Sequence, residues 1–199
     1  MRKLMVINNV TLDGVMQAPG RQDEDLRGGF EHGGWAMPYN DAVMGQTMGE
    51  GMSRGADLLF GRRTYEDFYS VWPNRTDNPF TAVLDASRKY VASRTLAAPL
   101  PWQNSTLLEG DAADAVARLK TEEGRDLLVM GSGVLVESLM RRDLIDEYML
   151  LIHPLVFGAG RRMFPEGATH TTFTLVKSVP TTTGVIIATY RPTTRAASA

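Results

Sequence analysis

Apolar positions in this chain gather into short runs of four to seven residues, divided by glycine-rich and charged stretches. Leu4 to Val10 is β-rich and apolar, the pattern of a strand buried on both faces. Ala56 to Phe60 predicts a second strand, and Thr64 to about Tyr69 a short helix. "VWPNRTDNPF" reads as a proline-broken loop, "KYVASRTL" as a third strand with its exit, and "STLLEG" as a fourth. In "DAADAVARLKTEEG", Ala112, Ala115, Val116 and Leu119 recur at helical spacing, and Gly124 is the expected stop. "DLLVMGSGVLVESLMRRDLIDEYMLLIHP" then predicts strand, glycine turn, helix and strand. Near the C-terminus, "TTFTLVKSV" alternates, "TTTG" signals a turn, and "GVIIATY" follows, which predicts an antiparallel hairpin.

Two stretches resist this scheme. Residues 14–38 hold six glycines and two prolines, and loops of that length are usually functional lids or disordered segments. Val43, Met44, Met48 and Met52 come close to helical spacing, yet Gly45, Gly49 and Gly51 interrupt them. Each such glycine costs roughly 0.5–1 kcal/mol relative to alanine, so the helix is expected either to fray or to need close approach to a neighbour or ligand.

The order β, loop-α, β-α, β, β-α, β-α, β, hairpin specifies an α/β domain. Its central sheet is mostly parallel, with antiparallel strands at one edge. No repeat or linker divides it, so one domain is expected over residues 1–191, with 192–199 as a disordered tail. At 199 residues the chain is long enough for a core without staples.

Composition removes several functions. There is no cysteine, so disulfides, thiolate metal sites and cysteine nucleophiles are excluded, and His32, His153 and His170 lack metal-ligand spacing. The N-terminal apolar run is too short for a signal peptide, and no stretch approaches a membrane span, which predicts a cytoplasmic protein without a membrane partner. A net charge of -2 with no basic stripe argues against nucleic acid, and requires any anion site to be a local concentration of charge.

Such concentrations occur where three apolar strands end: "LLF-GRRT" at 61–64, "YVA-SRT" at 93–95 and "LLVM-GSG" at 131–133. Ligands of open α/β sheets bind outside the carboxyl ends of the strands, where helix N-termini offer unpaired N–H groups to anions. Thr64 and Asp67 have the spacing of a helix cap, which accounts for Thr64 but not for Arg62 and Arg63. "GSGVLV" misses the dinucleotide fingerprint because Val136 stands where its third glycine belongs. Arg63 and Arg94 beside Thr64, Ser93 and Thr95 instead suit the 2′-phosphate of NADP(H).

"VTLDGV", "GRRTYE", "KYVASRTL", "VMGSGVLVESLM" and "GAGRRMFP", in that order, resemble the dihydrofolate reductase superfamily. Within it, they are most similar to the reductase domain that forms the C-terminal half of the riboflavin-biosynthesis deaminase–reductase. The resemblance implies a three-layer α-β-α fold with an eight-stranded sheet and an NADPH-dependent reductase acting on a small-molecule substrate. The reaction it implies is hydride transfer to a C=N or C=O carbon of a heterocyclic, ribityl or pterin-like compound. 5-Amino-6-(5-phosphoribosylamino)uracil is the substrate type of the riboflavin branch. By the same resemblance Gly61, Arg62, Arg63 and Thr64 form a first phosphate-binding segment. Ser93, Arg94 and Thr95 lie near the 2′-phosphate, and Gly131, Ser132, Gly133, Val134 and Leu135 form the turn under the pyrophosphate. Asp13 and Gly14 would border nicotinamide and substrate, Asp41 is the nearest match to the carboxylate that handles substrate protonation, and Trp35 and Tyr39 offer flat apolar surface under a closing loop. Each has a plainer counterpart: Asp41 as a helix-start carboxylate, Asp13 as a turn residue, Trp35 as a core anchor. Met130 stands where riboflavin-pathway reductases commonly carry an acidic residue, and the deaminase half is absent. The rival reading is a non-catalytic NADP(H)-binding sensor or assembly protein. Self-association as a homodimer is compatible with the resemblance, with "YMLLIHPLVF" either at the interface or in a central strand.

Overall fold

The computed structural model describes residues 1–193. Eight strands form one sheet: β1 (Leu4–Thr11), β2 (Asp57–Gly61), β3 (Lys89–Ala92), β4 (Ser105–Leu108), β5 (Leu127–Met130), β6 (Glu147–His153), β7 (Phe173–Pro180) and β8 (Ile186–Pro192). Their spatial order is β4-β3-β2-β5-β1-β6-β8-β7, parallel from β4 to β6 and antiparallel at the β6-β8-β7 edge. Helices α1 (Ala42–Ser53), α2 (Arg62–Val71), α3 (Phe80–Ala86), α4 (Ala112–Thr121) and α5 (Gly133–Met140) complete it.

Alternation along the central strands builds two cores. Leu4, Val6, Leu59, Leu127 and Val129 face α4 and α5, meeting Val116, Leu119, Val136 and Leu139. Leu58, Phe60, Val91 and Leu128 face the other way, against Tyr65 of α2, Leu84 of α3 and Trp102. Met44 of α1 packs on Leu151 and Ile187 on that second face. The result is the expected three-layer α-β-α sandwich, and each fully buried Val, Leu or Phe side chain contributes about 1.5–3 kcal/mol.

Several local expectations need correction. Helix α2 begins at Arg62, two residues before the expected start, with Gly61 at its N-cap. Helix α3 follows directly on the segment read as a loop, after the Asn78 side chain accepts from Phe80 N–H. Helix α4 is capped by Asp111, whose carboxylate accepts from Ala113 and Asp114 N–H, but it stops at Thr121, before Gly124. Strand β8 takes Pro192, and Thr193 N–H donates to Thr172; the rest of the expected tail lies outside the described residues. Among the described residues, no helix is long and apolar enough to cross a membrane.

The segment between β1 and α1 carries only two short 3-10 turns, yet it is folded. Val15, Ala18, Phe30, Trp35 and Ala36 form their own apolar cluster against Leu155 and Phe157. Gln17, 4% exposed, is its hub: the amide donates to the carbonyls of Asp25 and Arg27, and its oxygen accepts from Arg161 N–H. In α1, added Cβ atoms at Gly45, Gly49 and Gly51 would meet nothing within 4 Å, so no protein neighbour explains these glycines.

Candidate functional site

Two of the three strand exits interlock. Gly61 N–H donates to Ser132 Oγ at 3.0 Å, and Ser132 N–H donates to Thr64 Oγ1 at 3.2 Å. Gly131 N–H reaches the Asn8 side-chain oxygen of β1 at 2.8 Å. Gly131 has φ +67°, and a Cβ there would lie 3.3 Å from the Thr64 methyl, so glycine is required for both conformation and space. Ser132 is left-handed as well (φ 56°, ψ 45°). The first bond into α5 runs from Val136 N–H to the Ser132 carbonyl, which leaves the amides of Gly133, Val134 and Leu135 ahead of the helical ladder. Val134 is 65% exposed, so this helix start faces outward.

The cap expected from Thr64 and Asp67 does not form. Thr64 lies in the first turn of α2 with its hydroxyl turned to Ser132, and the Asp67 carboxylate is held by Arg21 at 2.5 Å. The third exit lies alongside, because Gly61 and Ala92 are register partners. Ser93 Oγ accepts from the N–H groups of Thr95 and Leu96 at 3.1 and 3.0 Å, which makes a tight hydroxyl turn. Thus the predicted cofactor residues at 61–64, 93–95 and 131–135 share one edge, at the carboxyl ends of the adjacent strands β3, β2 and β5. Arg62 pairs with Glu66 one helical turn on, at 3.0 Å. Arg63 and Arg94 are exposed and have no carboxylate partner among the described residues. Two exposed arginines therefore follow β2 and β3 on the same edge as the α5 N-terminus, the kinds of group that an anion site needs in a protein of net charge -2.

The other side of the edge, around β1 and β6, is organised differently. Asp13 accepts from Thr11 Oγ1 at 2.5 Å, Gly158 N–H at 2.8 Å and Phe157 N–H at 3.4 Å. The Thr11 hydroxyl is the main reason its carboxyl is held below the usual range. Asp41 caps α1 through Met44 N–H at 2.8 Å and takes both the N–H and the hydroxyl of Thr182 at 2.6 Å. That hydroxyl, followed by Met44 N–H, lowers its pKa too. Each carboxylate accepts three hydrogen bonds and is held below its ordinary range, which favours an ionised acceptor over the proton donor expected of Asp41 and Asp13. Gly14, at φ +82°, closes the turn after β1 through its N–H to Thr11.

Trp35 is 7% exposed and its indole N–H donates to the Gln17 carbonyl at 2.7 Å, so it anchors the segment. Trp35 and Tyr39 both set their rings edge-on to His153, with centroids 5.0 and 5.4 Å away. Asn8, Asn9 and Gln17 have no part in the sequence reading, which weighs His153 only as a metal ligand. The available signals were two asparagines inside an apolar strand and a histidine at the end of another. His153 is completely buried, its Nε2 lies 2.9 Å from Asn9 Oδ1, and its Nδ1 has no partner. Burial pushes its pKa down to about 4, so the ring is neutral.

Neither of two nearby cavities is lined by a residue expected to bind cofactor or substrate. One of about 340 Å³ is bounded by Gln17, Arg27, Phe30, His32, Gly160 and Arg161. Another of about 570 Å³ sits at the β3–β4 edge, by Arg88, Tyr90, Trp102 and Ser105. No group of three or more His, Asp or Glu side chains suited to a metal ion comes together among the described residues.

The family model for the RibD C-terminal domain matches residues 2–187. The uncharacterized protein YyaP of Bacillus subtilis (strain 168) is 24% identical over 195 residues, spanning 93% of this chain and 92% of that protein. Among solved structures, a candidate riboflavin biosynthesis protein from Shewanella sp. PV-4 superposes with a TM-score of 0.67 at 22% identity. The match covers 96% of this chain and 99% of that one. A pyrimidine reductase-like protein from Corynebacterium diphtheriae gives 0.63 at 11% identity, covering 97% and 92%. At such identities the two structures speak for the fold alone.

Proposed function

This chain belongs to the RibD C-terminal domain family, and from that membership we propose that it is an NADPH-dependent reductase of small heterocyclic C=N or C=O compounds. The observation that carries the cofactor reading is the shared edge of β3, β2 and β5, where Arg63 and Arg94 have no internal counter-ion. The residues present suit a phosphorylated dinucleotide. The amides of Gly133, Val134 and Leu135 with the Gly131 turn would hold the pyrophosphate, and Arg63, Arg94, Ser93, Thr95 and Thr64 the 2′-phosphate. When bound, the nicotinamide supplies the hydride.

The chain's own part is positioning, exclusion of water and control of polarity. Asn8 and Thr64 hold the glycine turn in place from two sides, through Gly131 and Ser132 N–H. The folded 12–41 segment covers the β1 and β6 ends with Trp35 and Tyr39, and Gly14 keeps the turn after β1 tight. With Asp13 and Asp41 committed as acceptors, we assign protonation of the reduced substrate to solvent water rather than to either carboxylate. Those same occupied carboxylates also favour a second reading, a non-catalytic NADP(H)-binding protein. Oxidation of NADPH with any carbonyl or imine substrate rejects it.

Calorimetric titration with NADPH and NADH, repeated on Arg63→Ala and Arg94→Ala, tests the assignment. A preference for NADPH that disappears in the arginine variants supports it. Binding of neither nucleotide by the unaltered chain ends the reductase reading.

A further inference from the structure

The carboxyl ends of β1 and β6 hold one polar atom that the protein leaves without a partner. His153 follows Ile152 at the end of β6, in register with Thr11 of β1, and in the parallel pair both side chains lie on the face covered by α1. With Asn9 Oδ1 as acceptor, His153 Nε2 carries the proton and Nδ1 presents a bare lone pair. Trp35 and Tyr39 meet the ring edge-on, and neither offers it a hydrogen bond. Buried polar atoms are nearly always paired, and an orphan acceptor in a wholly buried ring needs an explanation. Phenylalanine would fill this aromatic slot without the orphan nitrogen, at the cost of the bond to Asn9.

We propose that His153 is a substrate-contacting residue, whose Nδ1 accepts a hydrogen bond from an N–H or O–H group of the substrate, with Asn9 setting its tautomer. This rests on the reductase reading for its substrate but not for its site. Access runs past Tyr39. Trp35 is pinned through its indole N–H to Gln17, whereas the half-buried Tyr39 is held by its backbone carbonyl, which Thr183 Oγ1 engages at 2.7 Å. Access requires this less anchored ring, packed at the edge of the Met44 and Leu151 cluster, to turn aside. The contact selects donor-bearing compounds: a substrate that offers only acceptors or alkylated nitrogens leaves Nδ1 as orphaned as before.

The test uses the full chain with ¹⁵N-labelled histidine and follows the His153 ring nitrogens by long-range ¹H–¹⁵N spectroscopy. Probes are 5-aminouracil and 7,8-dihydropterin, which carry ring N–H donors, with 1,3-dimethyluracil as the donor-free control, each with and without NADP⁺. The expected result is an Nδ1 resonance that moves with the first two and not with the third. His153→Phe is expected to stay folded and to bind NADPH as before, while losing at least about tenfold in probe affinity, the size of one hydrogen-bonded contact. His153→Gln restores part of that affinity. A silent Nδ1 with both donor probes, a shift produced by NADP⁺ alone, or unchanged probe affinity in His153→Phe overturns the proposal. Nucleotide titration of the same samples judges the reductase reading separately, because the Nδ1 response is also recorded without nucleotide.

Discussion

The two halves of the carboxyl edge use similar residues to opposite ends. At β3, β2 and β5, Arg63 and Arg94 stand exposed without a carboxylate partner among the described residues, and Val134 at the start of α5 is exposed too. Across the sheet, the 12–41 segment spends its charges internally. Arg21 is tied to Asp67, Arg27 to Asp25, Asp13 to Thr11 and Gly158, and Asp41 to Met44 and Thr182. Glu24 serves the amides of Gly20 and Arg21, and burial raises its pKa. Whether a polar group has been used up by its neighbours separates recognition from architecture better than residue type does. By that criterion, His153 is the exception inside the architectural half.

The sharpest way to break the contrast is at the architectural hub. Gln17→Ala strands two half-buried carbonyls and one half-buried amide, each at a cost of about 1 kcal/mol, so urea denaturation should show a large loss of stability. A pH scan comes next. His153, pushed down to about 4, refuses a proton that the unfolded chain accepts below its ordinary value of 6.5. Its contribution is therefore fully present above pH 6.5 and lost as pH falls towards 4, roughly 3 kcal/mol in all. Equilibrium unfolding between pH 7 and 4 should show that slope, and His153→Phe should flatten it.

On the recognition half the sign reverses: ligand affinity falls while the fold stands. Arg63→Ala and Arg94→Ala should each cost about 1.5–3 kcal/mol of NADPH binding, with unchanged NADH binding and Tm, as read by calorimetry and thermal melts. Loss of fold stability in either variant would erase the contrast. Gly131→Ala should lose about 1–2 kcal/mol, spread over stability and nucleotide affinity, from its left-handed backbone and the nearby Thr64 methyl. The smallest effect is expected of Asp41→Asn. If Asp41 only fastens α1 and Thr182, the neutral amide keeps most of the cap and the turnover, with no new titration in the rate. A collapse of turnover there would restore it as a proton donor.

Legibility in the sequence followed the range of the interaction. "GRRT", "SRT" and "GSG" were recognisable because a strand exit with glycine, hydroxyl and arginine is a local pattern, and the sheet then places such exits side by side. Asp13 and Asp41 were noticed for the same reason, as acidic residues near a glycine and a helix start. Their partners Gly158 and Thr182 lie 145 and 141 residues away, and nothing local announces that the carboxylates are taken. The 12–41 segment read as a loop because its core is assembled from Leu155 and Phe157 as well as from its own residues.

From the sequence alone came the strand order and every helix but α3, the mostly parallel sheet with its antiparallel edge, and the three arginine- or glycine-bearing exits. All of these are set by periodicity and backbone preference within a few residues. The tertiary structure decided which polar groups are still unspent. Thr64 became a brace for Ser132 rather than a helix cap, Asp13 and Asp41 became fasteners, and His153 was buried with one nitrogen unanswered. The physical reason is that hydrogen bonds saturate, so what an acceptor can still do depends on which donors the fold has brought within about 3 Å of it.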